Sequence, residues 1–174
     1  SDITTAVHAS GKPGFLAWAV VTSGVPLMLP TEAQWEAAAQ SKRTSDDYPW
    51  GPTFDSSKLW CSKDAWKDAQ KTASTLRKDR IHSNAHGIRD LIGNVWEWCA
   101  DWYADDWYDR SPQSNPVGPD EADIIDRHSP GMPRRITRGG SFLCAPNYCS
   151  RYRTAARMPV TPDSSLAHLG FRCV

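Results

Sequence analysis

Gly93-Asn94-Val95-Trp96-Glu97-Trp98-Cys99-Ala100-Asp101-Trp102-Tyr103 decides how the rest of the chain is read. From Asn94 onward it alternates with a period of two. Trp96, Trp98, Ala100 and Trp102 share one face, and Val95, Glu97, Cys99 and Asp101 share the other. That pattern predicts a strand. Downstream, residues 104–133 form a long polar loop with several prolines. Arg135 to Phe142 then predicts a second strand, broken at Gly139-Gly140, where a bulge or a close backbone approach is expected. Tyr148 to Ala156 suggests a third strand, and Leu169 to Val174 a short closing one.

Upstream, Pro30-Thr31-Glu32-Ala33-Gln34-Trp35 opens a helix. Thr31 is a good N-cap and Gln34 stands three residues on, as a capping box requires. Glu32 lies in the first turn, where the helix dipole favours negative charge. Trp35, Ala38 and Ala39 fall on one face, and the helix should end near Gln40 to Arg43. Residues 13–22 predict a buried helix stopped by Ser23-Gly24. Tyr48-Pro49-Trp50-Gly51-Pro52 reads as a rigid aromatic turn. Residues 62–79 carry many charges and little apolar spacing, which predicts a solvated excursion.

The 174 residues suit one domain with a sizeable core. Lys and Arg balance Asp and Glu at 20 each, so no strong field points to nucleic acid or an anionic membrane. No apolar run is long enough to span a bilayer. Nine Trp among 13 Pro and 11 Gly suggest a loop-rich fold pinned by aromatic anchors. Five Cys leave at least one thiol without an internal disulfide partner. Periodicity alone therefore gives an irregular α+β domain and no function.

Five ordered motifs resemble one family. Leu29-Pro30-Thr31-Glu32-Ala33-Gln34-Trp35-Glu36 is similar to its L-P-T-E-A-E-W-E signature, and Tyr48-Pro49-Trp50-Gly51 to its Y-P-W-G turn. Gly93-Asn94-Val95-Trp96-Glu97-Trp98 resembles its G-N-V-W-E-W strand. Arg138-Gly139-Gly140-Ser141-Phe142 and Gly170-Phe171-Arg172 resemble its R-G-G-S-[FW] and terminal G-F-R. The family is that of the formylglycine-generating enzymes, or sulfatase-modifying factors. The resemblance implies a variant of the C-type lectin fold over residues 1–174 as a single domain. Family domains usually have a longer part before the L-P-T-E segment, so a truncated or minimal domain is expected.

A shared scaffold does not settle activity. Gly140-Ser141-Phe142-Leu143-Cys144-Ala145-Pro146-Asn147-Tyr148-Cys149 has the G-S-x-x-C-x-x-x-x-C spacing of the enzymes proper. By resemblance, Cys144 and Cys149 hold Cu(I), a soft ion that prefers thiolates. The reaction implied is oxidation, with O2, of a cysteine in a sulfatase Cys-x-Pro-x-Arg segment to Cα-formylglycine. From spacing alone, a local disulfide or two ordinary thiols stand equally open. A zinc site would want four ligands, which are not at hand.

Further site residues follow by position in the resemblance. Ser141 and Tyr148 match catalytic-pocket residues, against turn and packing roles. Arg157, Trp96, His168 and Ser165 match the substrate side, with His168 standing where the family usually has Asn. A surface ion pair is the plain alternative for Arg157, and core packing for Trp96. Asp90, Gly93, Val95 and Glu97 match a structural calcium site, whose oxygen ligands suit a hard cation. The alternative is a turn with Glu97 bonded to backbone. A second calcium site near Ser57-Lys58-Leu59-Trp60 is in doubt because Lys58 replaces an oxygen ligand. Thr154 and Ala38 stand at positions where secretory members have cysteines, which points to a bacterial, cytoplasmic enzyme. The expected partners are an unfolded sulfatase polypeptide and O2, with no nucleic acid, no membrane and a monomeric state.

Two other readings compete. One is a non-catalytic ligand- or protein-binding module on the same scaffold. The other is an iron-dependent sulfoxide synthase, which would need a His cluster from an added helical domain; the five His here are scattered.

Overall fold

A computed structural model describes residues 14–40, 45–62, 83–145 and 151–174. The predicted excursion over 62–79 lies outside them apart from Ser62, as do Tyr148 and Cys149.

Helix α1 spans Phe15–Ser23 and ends where the sequence predicts. Gly24 takes a left-handed φ of 68°, and its N–H returns to the Val20 carbonyl. The predicted burial is not found. Leu16 alone is buried, while Phe15, Trp18 and Val21 are exposed. The helix is apolar nearly all round, so its sequence defines no inner stripe. Against the rest of the chain, Phe15 meets the Phe171 ring at 5.5 Å.

Helix α2 spans Glu32–Ala39, capped as predicted. Thr31 Oγ1 accepts the Gln34 N–H at 3.2 Å, and Gln34 Oε1 accepts the Thr31 N–H at 2.8 Å. A further cap comes from the sheet: Asp101 Oδ2 accepts the Glu32 N–H at 2.6 Å. Trp35 and Ala39 face inward and are fully buried.

Strands β1 (Trp96–Trp102), β2 (Arg135–Arg138), β3 (Arg157–Val160) and β4 (Leu169–Gly170) form one sheet in the order β3-β2-β1-β4. β1 pairs antiparallel with β2, Glu97 opposite Arg138, and parallel with β4, Glu97 opposite Gly170. β2 pairs antiparallel with β3, Arg138 opposite Arg157. The core gathers Trp35, Leu91, Ile92, Trp96, Cys99, Ile136, Cys144 and Tyr152.

Three expectations change. On β1 the face with Glu97, Cys99 and Asp101 is the buried one, and Trp98 and Trp102 are only half-buried. α2 packs over this face, so its charges gain partners that periodicity does not reveal. The third strand begins at Arg157, not before: residues 151–155 are turns, and the Thr154 N–H is drawn to the Asp47 carbonyl at 2.9 Å. Of the closing segment, Leu169 and Gly170 join the sheet, while Val174 exchanges two backbone bonds with Met28. The long loop after β1 holds a short helix, α3 (Trp107–Arg110), and a 3₁₀ turn at Glu121–Asp123. At the aromatic turn Tyr48 and Trp50 stack 5.4 Å apart, with Tyr48 and Gly51 bridged as expected.

Candidate active site around Cys144

β2 delivers its last residue, Arg138, into the core and then turns sharply. Gly139 and Gly140 both have positive φ, 94° and 74°. A Cβ on Gly139 would stand 2.5 Å from the Leu91 carbonyl oxygen, and one on Gly140 2.9 Å from the Tyr152 ring. Only glycine meets both demands. This is the close approach the sequence predicts. The Gly93 N–H donates to the Gly139 carbonyl at 2.8 Å, which locks the turn to the segment leading into β1.

Beyond it the chain is pinned through its backbone. The Phe142 N–H donates to the Asn94 carbonyl at 2.8 Å, and the Cys144 N–H to the Ser141 carbonyl at 3.0 Å. The Cys144 carbonyl accepts the Ser62 N–H at 3.0 Å. Ser141 and Cys144 are both buried. Ser141 Oγ accepts the Leu143 N–H at 3.3 Å and lies 3.9 Å from Cys144 Sγ, close enough to donate to it.

Trp96 belongs to the same buried cluster as Cys144, which is its packing role rather than an open pocket wall. The His168 ring meets Phe142 edge-on at 6.4 Å, and its carbonyl accepts the Trp96 N–H at 2.8 Å. Burial holds the His168 pKa below the usual imidazole range. Ser141, Cys144, Trp96 and His168 are thus linked through one neighbourhood. Ser165 is exposed on the loop after β3.

Arg157 lies elsewhere. Its Nε and Nη2 fork onto the Glu32 carboxylate at 2.8 and 3.0 Å, and Nη1 reaches the Ala104 carbonyl at 3.2 Å. Its guanidinium sits over the rings of Tyr103 and Tyr108. The ion-pair alternative describes it better than a groove residue, though the pair is largely buried. Arg138, with no exposed side chain, also binds Glu32, at 2.6 Å, and reaches Glu36 and the Thr154 carbonyl. Burial works against its charge, but Glu32 and Glu36 outweigh that and push its pKa up. The sequence reading missed this network. The available signal was charge inside strands: a buried arginine must have partners.

The residues expected to hold calcium meet a different arrangement. Glu97 Oε1 accepts from Arg172 Nη2, and Oε2 accepts from Arg172 Nε and Trp35 Nε1, at 2.6–2.7 Å. Burial pushes the Glu97 pKa up against the lowering effect of Arg172 and Trp35, and Asp90 adds to the rise. A cation bound to Glu97 would have to displace a guanidinium. The Asp90, Gly93, Val95 and Glu97 set does not fit calcium in this arrangement. The Cys144 thiol, a soft donor with a hydroxyl beside it, does fit a thiophilic ion as half of a pair. Among the described residues, no group of three or more His, Cys, Asp or Glu is placed to hold a metal.

Residues 9–174 match the family model of the sulfatase-modifying factor enzyme 1-like domain. The chain belongs to this sulfatase-modifying factor family. It is 39% identical over 155 residues to a formylglycine-generating enzyme of Streptomyces coelicolor, a match covering 83% of this chain and 45% of that protein. A formylglycine-generating enzyme of Thermomonospora curvata is 40% identical over 155 residues, covering 83% and 48%. Among solved structures, Treponema denticola variable protein 1 superposes with a TM-score of 0.55 at 29% identity, over 84% of this chain and 46% of that one. The chain therefore spans less than half the length of these relatives. The sulfatase-modifying factor fold agrees with the loop-rich mixed sheet described above.

Proposed function

We propose that this chain carries the thiolate site of a formylglycine-generating oxidase. In this reading Cys144 and Cys149 hold Cu(I), and the substrate is a cysteine in an extended Cys-x-Pro-x-Arg segment of a sulfatase. Copper would supply the activation of O2 and the oxidation of the substrate Cβ to a thioaldehyde, which water hydrolyses to the aldehyde.

The chain's own residues do the rest. Gly139 and Gly140 aim the Ser141–Cys144 turn, and three backbone bonds hold Cys144 while its sulfur is free to deprotonate on metal binding. Ser141 Oγ, donating toward that sulfur, would stabilise the thiolate. Burial of Cys144 and Trp96 limits water around the sulfur. Tyr148, His168 and Ser165 are assigned to the substrate side by resemblance. Arg157 contributes by ordering the Glu32 network. Calcium has no part in this mechanism, because Glu97 is already satisfied.

The observation that carries the proposal is the buried Ser141–Cys144 pair at the end of β2, in a chain of this family. The test is incubation with Cu(I), O2 and a Cys-x-Pro-x-Arg peptide, read by mass for the aldehyde. Product that disappears in Cys144→Ser supports the proposal. Bound copper without product contradicts it and favours a binding module.

A further inference from the structure

Away from Cys144, a cavity of about 400 Å³ opens between the outer face of α2 and the loop that carries α3. Its α2 wall is Glu32, Ala33, Glu36 and Ala37, and Asp101 of β1 also lines it. Trp107 and Tyr108 form the aromatic wall. The wall is fixed rather than loose: Trp107 Nε1 donates to the Val117 carbonyl at 2.9 Å, and Tyr108 Oη to Glu32 Oε1 at 3.2 Å.

The lining is one-sided in charge. Three carboxylates face the cavity, and no Lys, Arg or His lines it. Arg138 and Arg157 bind Glu32 without lining the cavity, and Arg138 also binds Glu36. Arg135 acts on Asp101 and is drawn as well toward Glu121. Counting the lining carboxylates against Arg138 and Arg157 leaves one uncompensated negative charge at the cavity. Glu36 gives Oε2 to Arg138 and keeps 26% of its side chain exposed. Carboxylate beside aromatic rings, in a recess with apolar alanine and proline walls, is the chemistry that holds an organic cation.

We infer that the cavity between α2 and α3 binds a primary alkylammonium or alkylguanidinium group, the end of a basic side chain or of a small amine. The charged head is met by Glu36 and Asp101, and its aliphatic stem lies against Trp107, Tyr108 and Ala37. This inference is independent of the thiolate site, since none of the lining residues is assigned to it.

The probes are n-butylammonium, n-butylguanidinium and their neutral counterpart 1-butanol, followed by isothermal titration with the whole chain. Both cations should bind at least about tenfold more tightly than butanol. Ala37→Phe fills the cavity without touching a carboxylate, and should abolish cation binding while leaving the thermal midpoint nearly unchanged. Equal affinity for butanol, or no cation binding at millimolar concentration, overturns the inference using the unaltered chain alone. Cation binding that survives in a folded Ala37→Phe protein overturns it as well, because the attraction would then belong to the general surface.

Discussion

Two regions meet at the end of β2 and are built by opposite means. On the α2 side, Glu32, Glu36, Arg138 and Arg157 form a buried ionic network that joins a helix, two strands and a loop carbonyl. On the Cys144 side, position is set by backbone bonds and two glycines, and the cysteine sits among apolar residues. The contrast teaches a division of labour. Charge fixes β2 from one side, so the turn beyond Gly139 needs no charge of its own. A thiolate site built this way keeps its local field open for a metal and a substrate, with Ser141 as its near polar neighbour.

Breaking the charged side should give the largest effect. Arg138→Met leaves Glu32 and Glu36 without their shared cation, and removing one partner of a buried ionic group costs about 3–5 kcal/mol. Denaturant unfolding should show that loss. A loss below about 1 kcal/mol would mean the network is not the anchor described here.

Asp101 sharpens the same side through pH. Burial raises its pKa to about 6, aided by the Glu32 charge and opposed by the backbone N–H groups of Glu32 and Gly118 and by Arg135. The folded chain therefore holds a proton that the unfolded chain, with a carboxyl near 3.8, has released between pH 4 and 6. Stability from this group falls as pH rises through that window and is level above it. Asp101→Asn lacks the titration. Relative to the unaltered chain, it should gain on the order of 3 kcal/mol between pH 4 and pH 7. Parallel stability curves across that range would contradict the assignment.

On the other side, Gly139→Ala forces a left-handed residue with a Cβ against Leu91. It should cost about 2 kcal/mol or more and disturb Cys144 while the α2 network stays intact. The smallest effect tests the helix that carries Glu32: Thr31→Ala removes one member of the capping box and should cost about 1 kcal/mol. Thermal unfolding of the two variants, ranked in that order, checks the comparison.

What the sequence made legible follows the same line. The α2 cap, the strand at Trp96, the stop at Gly24 and the Gly139-Gly140 approach are local signals, and each stands where it was predicted. The inner face of β1 was not legible. Alternation separates two faces, but only α2 packing decides that Glu97 and Asp101 go inward. Nor was the pairing of Arg138 with Glu32, which are 106 residues apart, because no period links them. The exposure of Trp18 and Val21 on α1 was hidden for the converse reason: an all-round apolar helix looks buried whatever it packs against. Within the candidate site, Ser141, Cys144, Trp96 and His168 came together as motif neighbours. Arg157 did not, since Glu32 holds it.

X-ray absorption of the chain loaded with one equivalent of Cu(I) tests the thiolate site most directly. The account predicts copper bonded to sulfur alone, with one sulfur lost in Cys144→Ser and affinity falling at least about tenfold. Copper bound with unchanged sulfur coordination in that variant would contradict it.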